Sequence, residues 1–94
     1  MSLTERKMPR LKPIDPDFAD GDILAYNLKR LGYRDEVVRT TQVAELVTEK
    51  TGHTMSRQRI ANLLNAIRIS SATFEAIAKG IGVKPAELKR LPKR

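Results

Sequence analysis

Gln58, Asn62 and Asn65, with Arg57 and Arg59 beside them, fall on one face of any helix built from the stretch TMSRQRIANLLNA. Each Gln or Asn amide carries a donor and an acceptor in one plane, which is what the N6 and N7 edge of adenine requires in the major groove of duplex DNA. Arginine reaches guanine O6 and N7 or a phosphate oxygen, and sequence does not separate these two roles. Ala61, beside the ridge, is small enough for close approach and suits contact with a thymine methyl. No Asp or Glu occurs between Glu49 and Glu75, whereas Lys50, Arg57, Arg59 and Arg68 do. Taken alone, such a ridge is more often merely solvated. Its setting between amphipathic segments, with no acid near it in sequence to repel a phosphate backbone, is what points to a nucleic acid.

Other chemistries lack their parts. His53 is the single histidine and there is no cysteine, so no partner ligand of nitrogen or sulfur exists for a metal. The stretch DPDFADGD has the flavour of a calcium loop, but its Asp spacing around Gly21 is wrong and no bidentate Glu closes it, so helix capping accounts for these aspartates better. There is no Gly-rich phosphate loop, and no Ser has a general base near it. The expectation is a non-enzyme with no metal and no cofactor. Phe18, Tyr26, Tyr33 and Phe74 are the only aromatics, too few for a base-stacking platform, which favours duplex DNA over single strands or RNA.

The ridge must be held by a scaffold, and the apolar spacing supplies one. A first helix is expected from a cap at Asp20 or Asp22 to Leu31, with Ile23, Leu24, Leu28 and Leu31 inward and Gly32 ending it. The link GYRDEVVRT is ambiguous, since Val37 and Val38 want burial in a stretch that allows at most a short helical turn. Thr40 or Thr41 then caps a second helix with Val43, Leu46 and Val47 inward, broken at Gly52. Ser56 caps the third, over 56–66, whose inward positions are Ile60, Leu63, Leu64 and Ile67. Ser70 or Ser71 begins the fourth, with Phe74, Ile77, Ala78 and Ile81 inward and Gly82 as its stop. Pro85 suits the first turn of a short fifth helix carrying Leu88 and Leu91. The fold class expected is all-α, a compact five-helix bundle.

Residues 1–19 read as an extended arm, because Pro9, Pro13 and Pro16 remove backbone donors and bias their predecessors toward extended backbone. The arm is basic first and acidic later, which suits either a partly ordered tail or a contact to DNA or to a second subunit. Residues 20–91 form the domain and 92–94 a basic tail.

The stretch TQVAEL…TGHTMSRQRIANLLNA…SSATFEAIAKGIGVKPAEL resembles the helix-turn-helix of phage repressor and Cro type, the XRE family, over roughly residues 22–91. SATFEAIAKGIGVKPAEL resembles that family's fourth and fifth helices. The resemblance implies a lambda repressor-like fold in which Gln42 fixes a phosphate and braces the reading helix. It implies that Arg57, Gln58, Asn62 and Asn65 contact bases or backbone; Ser56, Arg59 and Ala61, from the reading of the helix itself, complete the expected DNA-binding set. The second helix or its turn is about one helical turn longer here than in compact members.

Ninety-four residues suffice for one small domain, and a net charge of +7 with pI near 10.2 makes a polyanion the natural partner. No apolar run is long enough to span a bilayer and no signal-peptide core is present, so a soluble, cytoplasmic protein is expected. The function expected is a sequence-specific, double-stranded DNA-binding transcriptional regulator, a repressor reading the major groove as a homodimer on half-sites about 34 Å apart or a multiple of that. The alternative is an antitoxin or another protein-interaction module using the same bundle, with a protein partner on the arm or the fifth helix.

Overall fold

The first helix, α1 (Asp20–Arg30), starts after Ala19, which has no side chain able to cap it. Its leading N–H groups are satisfied from elsewhere in the chain: Asp20 N donates to Ile67 O at 3.0 Å and Gly21 N to Ala66 O at 2.9 Å. Asp20 and Asp22 in the first turn and Lys29 and Arg30 in the last complement the helix dipole. In the computed structural model residues 14–92 are described, and among them the chain is all-helical, with four α-helices, one 3-10 turn and no strand.

The second helix, α2 (Glu36–Thr51), begins more than a full turn earlier than the threonines suggest. Asp35 is its cap, accepting Val38 N at 3.0 Å, and Thr40 lies inside the helix with its hydroxyl donating back to Glu36 O and Val37 O. The ambiguous link is therefore mostly helix. Val37 and Val38, expected to seek burial, are 68% and 47% exposed because they fall on the side of α2 turned away from its buried Val43 and Val47. Gly52 closes the helix in the left-handed region at φ 77°, with its N–H on Thr48 O.

The third helix, α3 (Arg57–Leu64), is capped by Ser56 and ends at Leu64 with Asn65 as its C-cap, two residues short of the 66 expected. The chain has already turned by Ile67, which is 67% exposed rather than inward. The fourth, α4 (Ser71–Ile81), runs from Ser70 to the left-handed Gly82. The expected fifth helix is a single 3-10 turn, Pro85–Leu88, that buries Leu88 and leaves Leu91 46% exposed.

The core is one cluster: Leu24 and Leu28 from α1, Val43 and Val47 from α2, Ile60 from α3, Phe74 and Ile77 from α4, and Leu88. α2 is central, packing most extensively on α4 and then on α3, while α1 bridges α3 and the 3-10 turn. Two glycines permit the closest approaches. A Cβ on Gly80 would stand 2.7 Å from Val47 Cα, and one on Gly21 would stand 2.6 Å from Leu63 O and Leu64 O.

Polar groups inside the bundle tie segments distant in sequence. Asn27 is fully buried and its Nδ2 lies 3.0 Å from Ile23 O, 2.9 Å from Leu88 O and 2.8 Å from Arg90 O, holding the C-terminal segment against α1. Arg39 is also buried, and its Nη1 donates to Tyr33 O and Arg34 O, fixing the loop between α1 and α2. Its Nε has no partner. No helix among the described residues is long and apolar enough to cross a membrane.

Candidate nucleic-acid interface

One threonine ties the turn between α2 and α3. Thr48 Oγ1 accepts Met55 N at 2.8 Å and donates to Met55 O at 3.2 Å, so both main-chain polar groups just before α3 are held by the last full turn of α2. Thr51 Oγ1 accepts His53 N at 3.2 Å in the same turn. His53 is exposed there, and no group of metal-ligating side chains forms among the described residues.

Ser56 Oγ accepts Arg59 N at 3.1 Å, which satisfies one of the free donors of α3. The first turn of α3 contains no acid and carries two arginines instead. A helix N-terminus favours negative charge nearby by about 0.3–1 kcal/mol, so arginines placed there are out of register with their own helix. An external polyanion against this end reverses that sign.

With Ile60 fully buried and Leu63 and Leu64 half-buried, the opposite face of α3 presents Gln58, Asn62 and Asn65, all exposed, with Ala61 half-buried beside them. Arg57 and Arg59 flank this ridge on its two sides, at about 100° per residue. Gln58 Nε2 donates to Asn62 Oδ1 at 3.0 Å, which couples the two amides and leaves Gln58 Oε1 and the Asn62 amino group unused by that bond. Asn65, the C-cap residue, donates from Nδ2 to Ala61 O at 3.1 Å. Six of the eight sequence-predicted residues, Ser56, Arg57, Gln58, Arg59, Asn62 and Asn65, are thus exposed on or next to one short helix, with Ala61 between them.

Gln42 stands apart. It is exposed on α2, lining a shallow depression with Val37, Val38 and Glu45, and makes no hydrogen bond to α3 among the described residues. Sequence reasoning also missed two neighbours of the ridge. Glu45 and Glu49 of α2 line a groove with Met55 and Arg57, so the acid-free window in the sequence is bordered by acids in space. The available signal was the i, i+4 spacing of those two glutamates on the face of α2 opposite Val43 and Val47.

Compared with known proteins, the chain matches no family model, no curated protein and no solved structure.

Proposed function

We propose that this protein is a sequence-specific binder of double-stranded DNA that lays α3 in the major groove, acting as a transcriptional regulator of repressor type. The observation that carries this is the exposed amide ridge of Gln58, Asn62 and Asn65 between Arg57 and Arg59, on a helix whose first turn has no acid. Amides read base edges, and arginines at either flank meet guanines or the phosphates on both sides of the groove. The turn through Thr48 and Met55 joins α2 to α3 in the manner of a helix-turn-helix, and Ala61 lets the helix approach closely. A homodimer on an inverted repeat is the expected assembly, since one eight-residue helix covers only a short half-site.

The test is selection of bound sequences from a random duplex pool at two salt concentrations. A two-fold symmetric motif that persists at physiological salt supports the reading. Binding that enriches no sequence and disappears as salt rises refutes base reading by α3.

A further inference from the structure

The cations of this chain are unevenly placed, and five of them gather where α1 ends. Lys29 and Arg30 lie in the last turn of α1, Lys84 immediately precedes the 3-10 turn, and Lys89 and Arg90 follow it. The two segments are bonded to each other: Asn27 Nδ2 donates to Leu88 O and Arg90 O, and Arg30 Nη2 donates to Glu87 O at 2.8 Å. Glu87 is the one acid in these turns, and Arg30 at 3.3 Å and Arg90 at 3.2 Å share its carboxylate. Lys29, Lys84 and Lys89 form no salt bridge among the described residues. The next acids along the chain, after the cation Arg34, are Asp35, whose side chain caps α2, and Glu36.

The dipole of α1 accounts for Lys29 and Arg30, but not for Lys84, Lys89 and Arg90, which belong to another segment. Nor is that segment a loose basic tail. Asn27 holds the carbonyls on either side of Lys89, and Lys89 Nζ stands 5.4 Å from the centroid of the Phe74 ring. The cations are therefore fixed on the bundle before any partner arrives. Their types suit phosphate: ammonium groups hold it as point charges, and contacts to the backbone carry no sequence information. No amide is offered to read a base, because Asn27 is fully buried. We propose that this cationic end of α1 and the 3-10 turn is a second nucleic-acid contact, a sequence-independent cradle for the phosphate backbone of duplex DNA. It is a different surface from α3 and stands without base reading there.

The position of the cradle follows from α1. Its first turn lies against α3, with Gly21 on the carbonyls of Leu63 and Leu64, and Arg30 comes at its other end, about 14 Å away along the helix axis. The major groove is only about 12 Å wide. Phosphates that meet the cradle thus lie outside the groove that α3 would occupy, on the flanking stretch of the same duplex or on a second duplex alongside. Either source supplies the same chemistry and raises affinity for every sequence alike, with a salt dependence of its own.

The test titrates the isotope-enriched full chain with a mixed-sequence duplex and follows amide NMR shifts at low salt. Shifts are expected at Lys29, Arg30, Glu87, Lys89 and Arg90, and they should persist when Arg57→Ala, Gln58→Ala and Asn62→Ala are combined. They should vanish in a chain carrying Lys29→Gln, Lys84→Gln and Arg90→Gln, three exposed positions whose change leaves the Asn27 bonds and the Arg30 and Glu87 pair in place. An unchanged melting temperature shows that this variant keeps its fold, and its salt slope, read by fluorescence anisotropy, should drop by about 1 for each cation removed from a phosphate. Shifts confined to α2 and α3, or an unchanged salt slope in the glutamine variant, overturn the proposal. Shifts at the cradle with none on α3 uphold it and refute base reading by α3 instead. An immobilised duplex that captures a second, labelled duplex through the native chain but not through the glutamine variant assigns the cradle to a second duplex, whereas shifts without capture assign it to the flanking backbone.

Discussion

The carboxylate of Asp20 accepts the N–H of Ile69 at 2.8 Å across 49 residues of chain, with both residues buried. Its other oxygen takes Ile14 N at 3.3 Å, and the main-chain N–H of Asp20 itself donates to Ile67 O. One side chain thereby fastens the arm's exit, the start of α1 and the loop that follows α3. Asp20→Ala leaves the buried Ile69 N–H without a partner and removes a charge that complements the α1 dipole. The expected loss is about 1–3 kcal/mol in urea unfolding. An unchanged midpoint at constant slope would show that the loop is held by packing alone.

Gly80 offers a prediction whose sign opposes helix propensity. Replacing a mid-helix glycine by alanine ordinarily gains up to about 1 kcal/mol. At Gly80 the new methyl meets Val47 Cα and N at 2.7 and 2.8 Å, main-chain atoms that cannot rotate away. Separating α4 from α2 costs about 1–3 kcal/mol and outweighs the propensity gain. Gly80→Ala should therefore lower the melting temperature, and a rise would mean that α4 can move off α2 at no net cost.

Asn27 is the corresponding fastening at the other end of α1. Asn27→Leu keeps the branched side-chain skeleton, with bulkier methyl groups, but strips the donors from Leu88 O and Arg90 O, the first of which is fully buried with its residue. A loss of about 1–3 kcal/mol is expected. Hydrogen exchange supplies the sharper readout: protection of Lys89 N, which donates to Ala86 O in the 3-10 turn, should fall more than protection within α4. Equal loss throughout would mean that the C-terminal segment has no independent hold.

The parts of this fold that were legible in the sequence are those governed by local chemistry. Ser56 and Ser70 cap their helices, Gly52 and Gly82 end theirs at positive φ, and the inward spacing of Phe74, Ile77 and Ala78 holds. The errors arise where two local signals competed. Asp35 outbids Thr40 and Thr41 as the cap of α2 because the helix gains its extra turn while Val37 and Val38 stay in solvent, which no periodicity announces. Ile67 continues the apolar spacing of α3, yet Asn65 has already ended the helix and the carbonyls of Ala66 and Ile67 are taken by α1. The site shows the same division. The ridge of α3 follows from rotation about one axis, whereas the approach of Glu45 and Glu49 to Arg57 depends on how α2 and α3 cross. Likewise, nothing near Asp20 in sequence points to Ile69.

The amide ridge itself yields the last prediction. Because Gln58 Nε2 and Asn62 Oδ1 are joined at 3.0 Å, each amide orients the other, and their contributions to DNA recognition should not add. Gln58→Ala and Asn62→Ala are each expected to cost about 1–3 kcal/mol against the selected duplex and to relax preference at one base position. The double variant should lose less than the sum, since the first substitution already frees the second amide to rotate. Arg57→Ala and Arg59→Ala should behave differently if they meet phosphates, weakening binding to every sequence alike and reducing the salt slope by about 1 each. All four residues are exposed, so thermal unfolding of the free protein should change little and serves as the control. Fluorescence anisotropy at several salt concentrations measures all of these quantities together. Additive losses from Gln58 and Asn62 would mean that their hydrogen bond breaks on binding, and no loss from either would remove α3 from the groove.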